Sequence, residues 1–399
     1  GLMERLQRVI GQVTGQHMEA HAGSPQVAPC SGHEGLAVTK VHSKCTVVTL
    51  DRQKALNALN LTMVQGLLET VEEAADAYNG VLLFEGAGAR AFCAGGDIRA
   101  LAESAVSGKL SYCAEFFSTE YRMNAKIAEL QEESMSIESM LSPTTCVALV
   151  HGVCMGGGVG VSVHAPYRVV SETLKFAMPE TGIGFFCDVG GSFFLPRMPG
   201  AVGMYVGLTG ARLDYNDALY AGFATHFCPT ARMGELKAML VQLSKNGTNS
   251  SKVANALDDH LRQYASEAKP EESTLARHRK DVDACFGADS VQEIFARLET
   301  YEADPQWAAK TLQTLKKKSP TSVRVVFELL RTSGSLSIDQ ALEREFNVAM
   351  RFMRHPDFYE GVRAVIIDKT NSPNWSPMVD DAGVQEFFQP DKDGFVLSL

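Results

Sequence analysis

One stretch of this 399-residue chain reads Cys146-Val-Ala-Leu-Val-His-Gly-Val-Cys-Met-Gly-Gly-Gly-Val-Gly160. Its apolar residues divide around the glycine cluster, which predicts a buried strand, a glycine turn and a buried helix rather than a membrane span. The same order, in which a helix begins at a glycine turn after a strand, recurs around Ala91–Ile98. Alternating strands and helices predict an α/β fold, with ligand-binding groups at the strand-to-helix turns.

Composition and periodicity divide the chain into three regions. Residues 1–35 are predicted to form a flexible leader, residues 36–230 the α/β core, and residues 231–399 a region of helices with few strand signals. In the leader, Arg5 and Arg8 lie among scattered apolar residues, as at the end of a mitochondrial targeting segment. Such segments are poor in acids, however, and the leader contains Glu4 and Glu19.

The charge balance and the cysteines argue against several classes of protein. Asp plus Glu number 47 against 37 Lys plus Arg, so the net charge of −10 argues against nucleic acid and anionic membranes as partners. The nine cysteines include no Cys-x-x-Cys pair, and the histidines lack metal-ligand spacing. We therefore expect free thiols and no metal site. The run Lys316–Lys318 is a candidate for holding a phosphorylated ligand, with a solvated charged face as the alternative.

Two glycine turns are candidates for binding a carbonyl oxygen. The first, Gly95-Gly-Asp97, permits a sharp turn and a close approach of a ligand. The second, Gly156-Gly-Gly158, opens a helix, where a main-chain N–H carries the partial positive charge of the helix end. It fits neither the phosphate-loop nor the dinucleotide-binding pattern. Taken alone, the first turn is more often a packing turn than an oxyanion site, and for the second turn close packing is an equal alternative, so both interpretations stay open.

Three acidic residues are candidates for the chemistry. Glu180 follows an apolar strand, where a carboxylate is costly unless it is paired, functional or solvated. Asp188 precedes another glycine turn and suits either a helix N-cap or a partner for Glu180. Glu120 lies on a predicted helix, where an exposed acid is the simpler interpretation. The two glycine turns can aim N–H groups at one carbonyl oxygen, and Glu180 and Asp188 follow them in the chain. Together these groups are the parts needed to attack a thioester.

The chain resembles the crotonase (enoyl-CoA hydratase/isomerase) superfamily between about residues 36 and 380. The similar segments are Leu50–Ala58, Ala91–Ile98 and His151–Gly158. Within that superfamily it is most similar to the 3-hydroxyisobutyryl-CoA hydrolases, on the stretches Phe92–Arg99, Met155–Gly160, Phe176–Arg197, Asp357–Lys369 and Ser372–Trp375. The C-terminal stretches are the most specific, because hydratases of the superfamily do not extend that far.

The resemblance implies a core of ββα turns wound into a spiral, with the helical C-terminal region packing over the active site. By motif position, the N–H groups of Gly96 and Gly157 would form an oxyanion hole. Glu180 would be the catalytic carboxylate, assisted by Asp188, and Glu120 would contact the substrate. The residues expected along the CoA arm are Lys54, Leu56, Ala94, Ile98 and Lys369.

The function implied by the resemblance is hydrolysis of the thioester of 3-hydroxyisobutyryl-CoA, and of 3-hydroxypropionyl-CoA, in valine catabolism in the mitochondrial matrix. CoA would be part of the substrate, and no cofactor, nucleic acid or membrane would be involved. An oligomer is compatible with the resemblance, since members of the superfamily often form trimers. One alternative is an enoyl-CoA hydratase or isomerase, and another is a non-catalytic crotonase-fold binding protein.

Four departures from the family patterns bear on these alternatives. Hydratases carry a second glutamate where this chain has Gly160, and usually a glycine where it has Asp188. The hydrolases often have proline at the position of Cys187. Residues 124–145 are longer and more polar than in the hydrolases, and we expect an inserted surface loop near the entrance of the site. Whether Glu180 attacks the carbonyl or activates water stays open at this point.

Overall fold

The computed structural model describes residues 33–76, 80–135, 144–245 and 247–399, with only the backbone described for 131–135. The predicted leader therefore lies outside the described residues except for its last three. Eight cysteines lie in the described part, and all eight are buried and free. No helix there has the length and apolar character needed to cross a bilayer.

The strands form two sheets that are mainly parallel. The larger sheet has six strands in the order β1-β2-β3-β5-β7-β9, and the smaller sheet has three in the order β4-β6-β8. Among the strand pairs of the described residues, only β1 with β2 is antiparallel. The strands are β1 (Leu36–His42), β2 (Cys45–Leu50), β3 (Val81–Gly86), β4 (Ala91–Cys93), β5 (Thr145–Val150), β6 (Val153–Met155), β7 (Tyr167–Val170), β8 (Lys175–Ala177) and β9 (His226–Phe227).

Short helices follow or connect these strands. Polar residues cap the first two, because the side chain of Asn60 accepts from Met63 N and that of Asp97 from Ala100 N. The helices of the core are α1 (Leu61–Ala75), α2 (Ile98–Val106), α3 (Leu110–Met135), α4 (Gly157–Val163), α5 (Gly191–Phe194), α6 (Val202–Thr209) and α7 (Tyr215–Tyr220). Short 3₁₀ turns lie at Gln53–Ala55, Glu180–Ile183 and Leu195–Arg197.

Three successive ββα repeats determine where the functional groups meet. In each repeat one strand joins the larger sheet, the next joins the smaller sheet, and a helix or 3₁₀ turn follows: β3-β4-α2, then β5-β6-α4, then β7-β8 with Glu180–Ile183. The strands of the smaller sheet are parallel, and Cys93 pairs with Cys154 while Met155 pairs with Ala177. Their carboxyl ends therefore lie at one edge, which brings both glycine turns and the Glu180 turn together.

Helices make up every regular element that the structure describes beyond residue 232. They are α8 (Met233–Ser244), α9 (Ser250–Leu261), α10 (Thr274–Arg277), α11 (Arg279–Phe286), α12 (Val291–Glu299), α13 (Pro305–Lys316), α14 (Pro320–Thr332), α15 (Ile338–Phe352), α16 (Pro356–Val362) and α17 (Asp381–Glu386), with 3₁₀ turns at Arg262–Glu267 and Pro270–Glu272 and a π-helical turn at Arg363–Ile367. The predicted α/β core and helical C-terminal region are both confirmed.

The prediction of an inserted loop at residues 124–145 was wrong for most of the segment that can be tested. Residues 124–135 continue helix α3, and residues 144–145 lead into strand β5, while 136–143 lie outside the described residues. Asn124, Ile127 and Leu130 are buried, whereas Glu129 is exposed. Glu129 thus lies on the outer face of an amphipathic helix, and the segment that suggested a loop continues that helix to Met135.

Candidate active site

A cavity of about 970 Å³ lies at the carboxyl edge of the smaller sheet. The C-terminal region completes its wall through Lys317, Lys318 and the segment around the π-helical turn. All ten site residues predicted from the sequence line this one cavity: Lys54, Leu56, Ala94, Gly96, Ile98, Glu120, Gly157, Glu180, Asp188 and Lys369. The structure brings them together, and their chemical roles stay predictions.

The two glycine turns touch each other in the cavity. A β-carbon added to Gly157 would lie only 3.2 Å from the main-chain nitrogen of Gly96. Gly95 and Gly156, with φ of 117° and 46°, adopt conformations that favour glycine. Within the described chain, neither the Gly96 N–H nor the Gly157 N–H donates to a protein acceptor. Two adjacent, unengaged N–H groups can stabilise a negatively charged oxygen, which is the arrangement of an oxyanion hole.

Glu180 begins the 3₁₀ turn that follows strand β8, and its side chain is buried. Its Oε1 lies 3.2 Å from the β-carbon position of Gly156, so the carboxyl group faces the second glycine turn. Its Oε2 has no hydrogen-bond partner among the described residues. Burial, reinforced by the neighbouring charge of Asp188, raises the pKa of Glu180 to about 8. A buried carboxyl oxygen without a protein partner indicates a functional site more than a structural one.

Asp188 occupies the same cavity and receives a hydrogen bond of 2.9 Å from the hydroxyl of Tyr121 on α3. Burial raises the pKa of Asp188 to about 7, although the bond from Tyr121 opposes this shift. Asp188 is not a helix N-cap: Gly190 occupies that position of α5, without a side-chain bond. The alternative interpretation of Asp188 as a capping residue was therefore wrong.

Glu120, on the turn of α3 that carries Tyr121, is only 2% exposed. The interpretation as an exposed helix acid was therefore wrong. Its Oε1 lies 2.5 Å from the β-carbon position of Gly157 and has no hydrogen-bond partner in the described chain. Burial and the charge of Asp188 hold the pKa of Glu120 well above its usual range. Three buried carboxyl groups thus surround the two glycine turns.

Position 160 has no room for a side chain. A β-carbon on Gly160 would lie 2.7 Å from Cβ of Val189 and 2.8 Å from Nδ2 of Asn124. Contacts this short would force main-chain or core side-chain atoms to move. A fourth acid at this position is therefore incompatible with the local packing, which bears on the choice between hydration and hydrolysis.

Basic residues surround the outer part of the cavity. Lys54 and Lys369 lie in its wall, and Lys369 has a positive φ of 56°. Of the run Lys316–Lys318, the last two line the cavity, whereas Lys316 pairs with Glu299 at 3.3 Å outside it. Burial lowers the pKa of Lys318. The arrangement suits a ligand with anionic groups at one end, while the interpretation of these lysines as phosphate contacts stays a prediction.

Sequence reasoning missed several residues of the site. Tyr121 and Asn124 were not singled out for a role, and Phe116 and Phe117 were not expected to form part of the wall. For Tyr121, the adjacent Glu120 gave no signal, because neighbouring residues on a helix usually point in different directions.

The buried carboxyl groups make stability depend on pH. The pKa of Glu180 is about 8 in the folded protein and about 4.3 in an unfolded chain. Between these values the folded state binds more protons, so the stabilising contribution present at low pH is lost as pH rises through 8. The quantity to compare is the melting temperature of Glu180→Gln minus that of the unmodified protein. We expect this difference to increase by about 2 °C or more between pH 5.5 and pH 8.5, because only the unmodified protein loses stability as Glu180 ionises.

Differential scanning fluorimetry at both pH values measures this difference. Glu172→Gln is the matched control, because Glu172 is exposed. Partial burial acts to raise its pKa, but hydrogen bonds, including that from Thr230 N, together lower it, so Glu172 stays ionised throughout this range. A melting difference for Glu180→Gln that is independent of pH would contradict the elevated pKa.

Comparison with known proteins places these features in a family. A profile of the enoyl-CoA hydratase/isomerase family matches residues 45–388. The 3-hydroxyisobutyryl-CoA hydrolase, mitochondrial, of Dictyostelium discoideum is 40% identical over 360 residues, covering 87% of this chain and 90% of that protein. The Homo sapiens protein of the same name is 37% identical over 360 residues, covering 89% and 87%.

Solved structures agree with this placement. A carnitinyl-CoA dehydratase from Mycobacterium thermoresistibile is 32% identical, with a TM-score of 0.78, covering 91% of this chain and 99% of that one. An enoyl-CoA hydratase from Rhodobacter sphaeroides 2.4.1 is 34% identical, with a TM-score of 0.77, covering 92% and 100%. The predicted spiral fold is therefore confirmed.

Proposed function

The chain belongs to the enoyl-CoA hydratase/isomerase family, and we propose on that basis that its cavity hydrolyses the thioester of 3-hydroxyisobutyryl-CoA. The enzyme is an acyl-CoA thioester hydrolase that releases the free hydroxy acid and CoA. The observation that carries this proposal is the convergence of Glu180 and Asp188, both buried, with the free N–H groups of Gly96 and Gly157 in one cavity.

The two glycine N–H groups supply the electrostatic part of catalysis. The thioester oxygen lies between Gly96 and Gly157, and attack on the carbonyl carbon moves negative charge onto that oxygen. Because the two donors are fixed by the main chain, they stabilise the charge without reorganising, and each such donor typically lowers the barrier by about 3 kcal/mol.

The carboxyl groups supply the proton transfers. Three acids this close cannot all be ionised, so near neutral pH the site holds a carboxylate beside a protonated acid. The pKa values of Glu180 and Asp188, about 8 and about 7, are close, so the two groups exchange a proton, and the reaction proceeds from the form in which Glu180 is the carboxylate. In that form Glu180 either attacks the carbonyl carbon, forming a mixed anhydride that water then hydrolyses, or removes a proton from the attacking water. In both routes the carbon–sulfur bond breaks, and Asp188 protonates the leaving thiolate or orients the water.

The acyl end of the cavity suits a short substrate with a hydroxyl group. The unpartnered Oε1 of Glu120 accepts the 3-hydroxyl of the acyl group, which removes the cost of burying that oxygen alone. Phe116, Phe117 and Phe185 form an apolar wall beside it, and a β-carbon on Gly96 would lie 3.2 Å from Cζ of Phe116. This close wall favours small acyl groups, including 3-hydroxypropionyl.

Hydration or isomerisation of an enoyl-CoA is the second candidate, since similar solved structures are named as a hydratase and a dehydratase. Adding water across a double bond in this family's manner needs the second acid that position 160 lacks. The packing of Gly160 against Val189 and Asn124 argues against any rearrangement that would supply it. The burial of three carboxyl groups in one cavity likewise argues against a non-catalytic binding protein, because burying such groups is costly without a function.

The relatives from Dictyostelium discoideum and Homo sapiens are named mitochondrial, and this supports a mitochondrial location for the chain. We place the reaction in the matrix, in the breakdown of valine, with acyl-CoA as the only small-molecule partner that the mechanism requires. The mechanism uses protein groups and water alone, so it needs no cofactor.

A panel of CoA esters tests the proposed function. We expect rapid thiol release from 3-hydroxyisobutyryl-CoA and 3-hydroxypropionyl-CoA, and neither thiol release nor loss of enoyl absorbance with crotonyl-CoA. Isobutyryl-CoA is the matched control because it lacks only the hydroxyl group. Its kcat/KM should be about 10- to 100-fold lower, since Glu120 stays buried without a partner. Consumption of the crotonyl double bond without thiol release would support the hydratase instead.

A further inference from the structure

The turn that carries Asp188 holds a strained residue. Val189 has a φ of 54°, a left-handed conformation that is rare for a β-branched side chain, and Gly190 follows with a φ of 84°. Strain of this kind persists only where surrounding contacts impose it, and it tends to occur at functional sites. The contacts around residues 188–192, here called the 188–192 turn, show what imposes it.

Glu345 of helix α15 holds one side of the 188–192 turn. Its Oε2 accepts a hydrogen bond of 2.8 Å from Gly190 N, and its Oε1 accepts bonds of 2.8 Å from Ser192 N and 2.6 Å from Ser192 Oγ. The side chain is fully buried. A buried carboxylate that accepts three hydrogen bonds from one turn fixes that turn closely, because releasing it would leave several polar groups unpaired.

His164 holds the opposite side of the turn. It follows helix α4, the helix that Gly157 opens, and its Nε2 lies 2.8 Å from the carbonyl oxygen of Val189. Burial lowers the pKa of His164 to about 4, so the imidazole is neutral and its Nε2–H donates to that oxygen. This bond connects the oxyanion helix to the turn that carries Asp188.

We propose that Glu345 and His164 are positioning residues that hold the strained 188–192 turn, and thereby aim the Asp188 carboxyl group at the acyl carbon. The inference rests on the proposed function and adds to it two side chains outside the lining of the cavity. It also makes the C-terminal helical region part of the catalytic apparatus, because α15 supplies Glu345.

Glu345 acts on Asp188 through its charge as well as through the position in which it holds the 188–192 turn. Burial and the charge of Asp188 raise the pKa of Glu345 to about 8. The hydrogen bonds from Gly190 N and Ser192 N oppose this shift, because a main-chain N–H can only donate and therefore favours the ionised carboxylate. The titratable groups that face Asp188 are Glu120, Tyr121, Glu180, Cys187 and Glu345. Glu345 gains its negative charge as pH rises towards and past 8, and replacing it with a neutral amide favours ionisation of Asp188 in that range.

The test compares Glu345→Gln with the unmodified enzyme by thiol release from 3-hydroxyisobutyryl-CoA. The amide group keeps one acceptor oxygen and opposes an N–H with its own NH₂. We expect kcat to fall about 30-fold with KM changed less than about threefold, since Asp188 acts after the substrate binds. The apparent pKa of Asp188 is identified as the one that Asp188→Asn removes from the pH profile of kcat, and in Glu345→Gln it should move to lower pH. In the Asp188→Asn background, Glu345→Gln should reduce kcat no further.

Two further variants keep the test decisive. Asp217→Asn is the matched control, because Asp217 is also a buried carboxylate that accepts a main-chain bond, 2.7 Å from Leu275 N, but lies outside the cavity. It should lower the melting temperature without moving the pH profile. Ser192→Ala removes only the hydroxyl bond to Glu345, and should lower kcat about three- to fivefold if Glu345→Gln does not fold.

A purely structural role for Glu345 would give a different pattern. A folded Glu345→Gln enzyme with unchanged kcat, or an equal loss in the Asp188→Asn background, would overturn the positioning role. If Ser192→Ala folds and Glu345→Gln does not, an unchanged kcat and an unshifted pH profile in Ser192→Ala would likewise overturn the positioning role. An inactive unmodified enzyme would instead reject the proposed function, so the two failures are distinguishable.

Discussion

Glu180→Gln should reduce thiol release from 3-hydroxyisobutyryl-CoA by at least about 1000-fold, because the amide can neither attack the carbonyl carbon nor accept a proton from water. Glutamine has nearly the same shape as glutamate, so the cavity around the 3₁₀ turn keeps its form. The affinity for the CoA ester should therefore change by less than about threefold. Single-turnover thiol release measures the chemistry, and calorimetric titration with the substrate measures binding.

Glu172→Gln serves as the matched control, because Glu172 is exposed and outside the cavity, and its activity should equal that of the unmodified enzyme. Turnover by Glu180→Gln within tenfold of normal would reject Glu180 as the catalytic carboxylate. If the variant accumulated acyl-enzyme, that too would contradict the assignment, since no other group should then form the anhydride.

Gly157→Ala should lower kcat/KM by about 100- to 1000-fold, the loss expected when one donor of an oxyanion hole is displaced. The new methyl group would lie 2.5 Å from Oε1 of Glu120 and 3.2 Å from the nitrogen of Gly96. Gly157 has no positive φ, so the loss would come from these contacts and not from backbone strain. Steady-state kinetics with 3-hydroxyisobutyryl-CoA measures the effect, and circular dichroism checks the fold.

Gly234→Ala is the control for this variant. Gly234 also lies near the start of a helix, and a β-carbon there meets no atom within 4 Å. Alanine is the better helix former, so activity should be unchanged and stability equal or slightly higher. If Gly157→Ala retained full activity, the main-chain N–H of Gly157 would not be a donor to the thioester oxygen.

The sequence predicted strand β5, helix α4 and the two glycine turns because these are determined locally. The apolar run Cys146–Val150 forms strand β5, the segment from Gly157 forms helix α4, and Asp97 caps α2. Hydrophobic periodicity, glycine and capping residues act within a few residues of chain, so a single sequence displays them directly. Motif position likewise identified ten residues that line one cavity.

Interactions between distant segments could not be read from the same information. Tyr121 donates to a carboxyl group 67 residues away, and Glu345 binds a turn more than 150 residues away. Nothing near either residue in sequence signals its partner. For the same reason the polar residues after Asn124 suggested a loop, although the chain continues as helix α3 to Met135 with Ile127 and Leu130 buried.

The sequence by itself determined the order of elements, the two turns rich in glycine and the two acids that follow them, since all of these arise from short-range sterics and periodicity. Only the tertiary structure decided that the acids are buried beside unengaged N–H groups, that position 160 is closed, and that a C-terminal helix holds the Asp188 turn. These properties depend on which surfaces the parallel strands and packed helices remove from water, and therefore on contacts made across the whole chain.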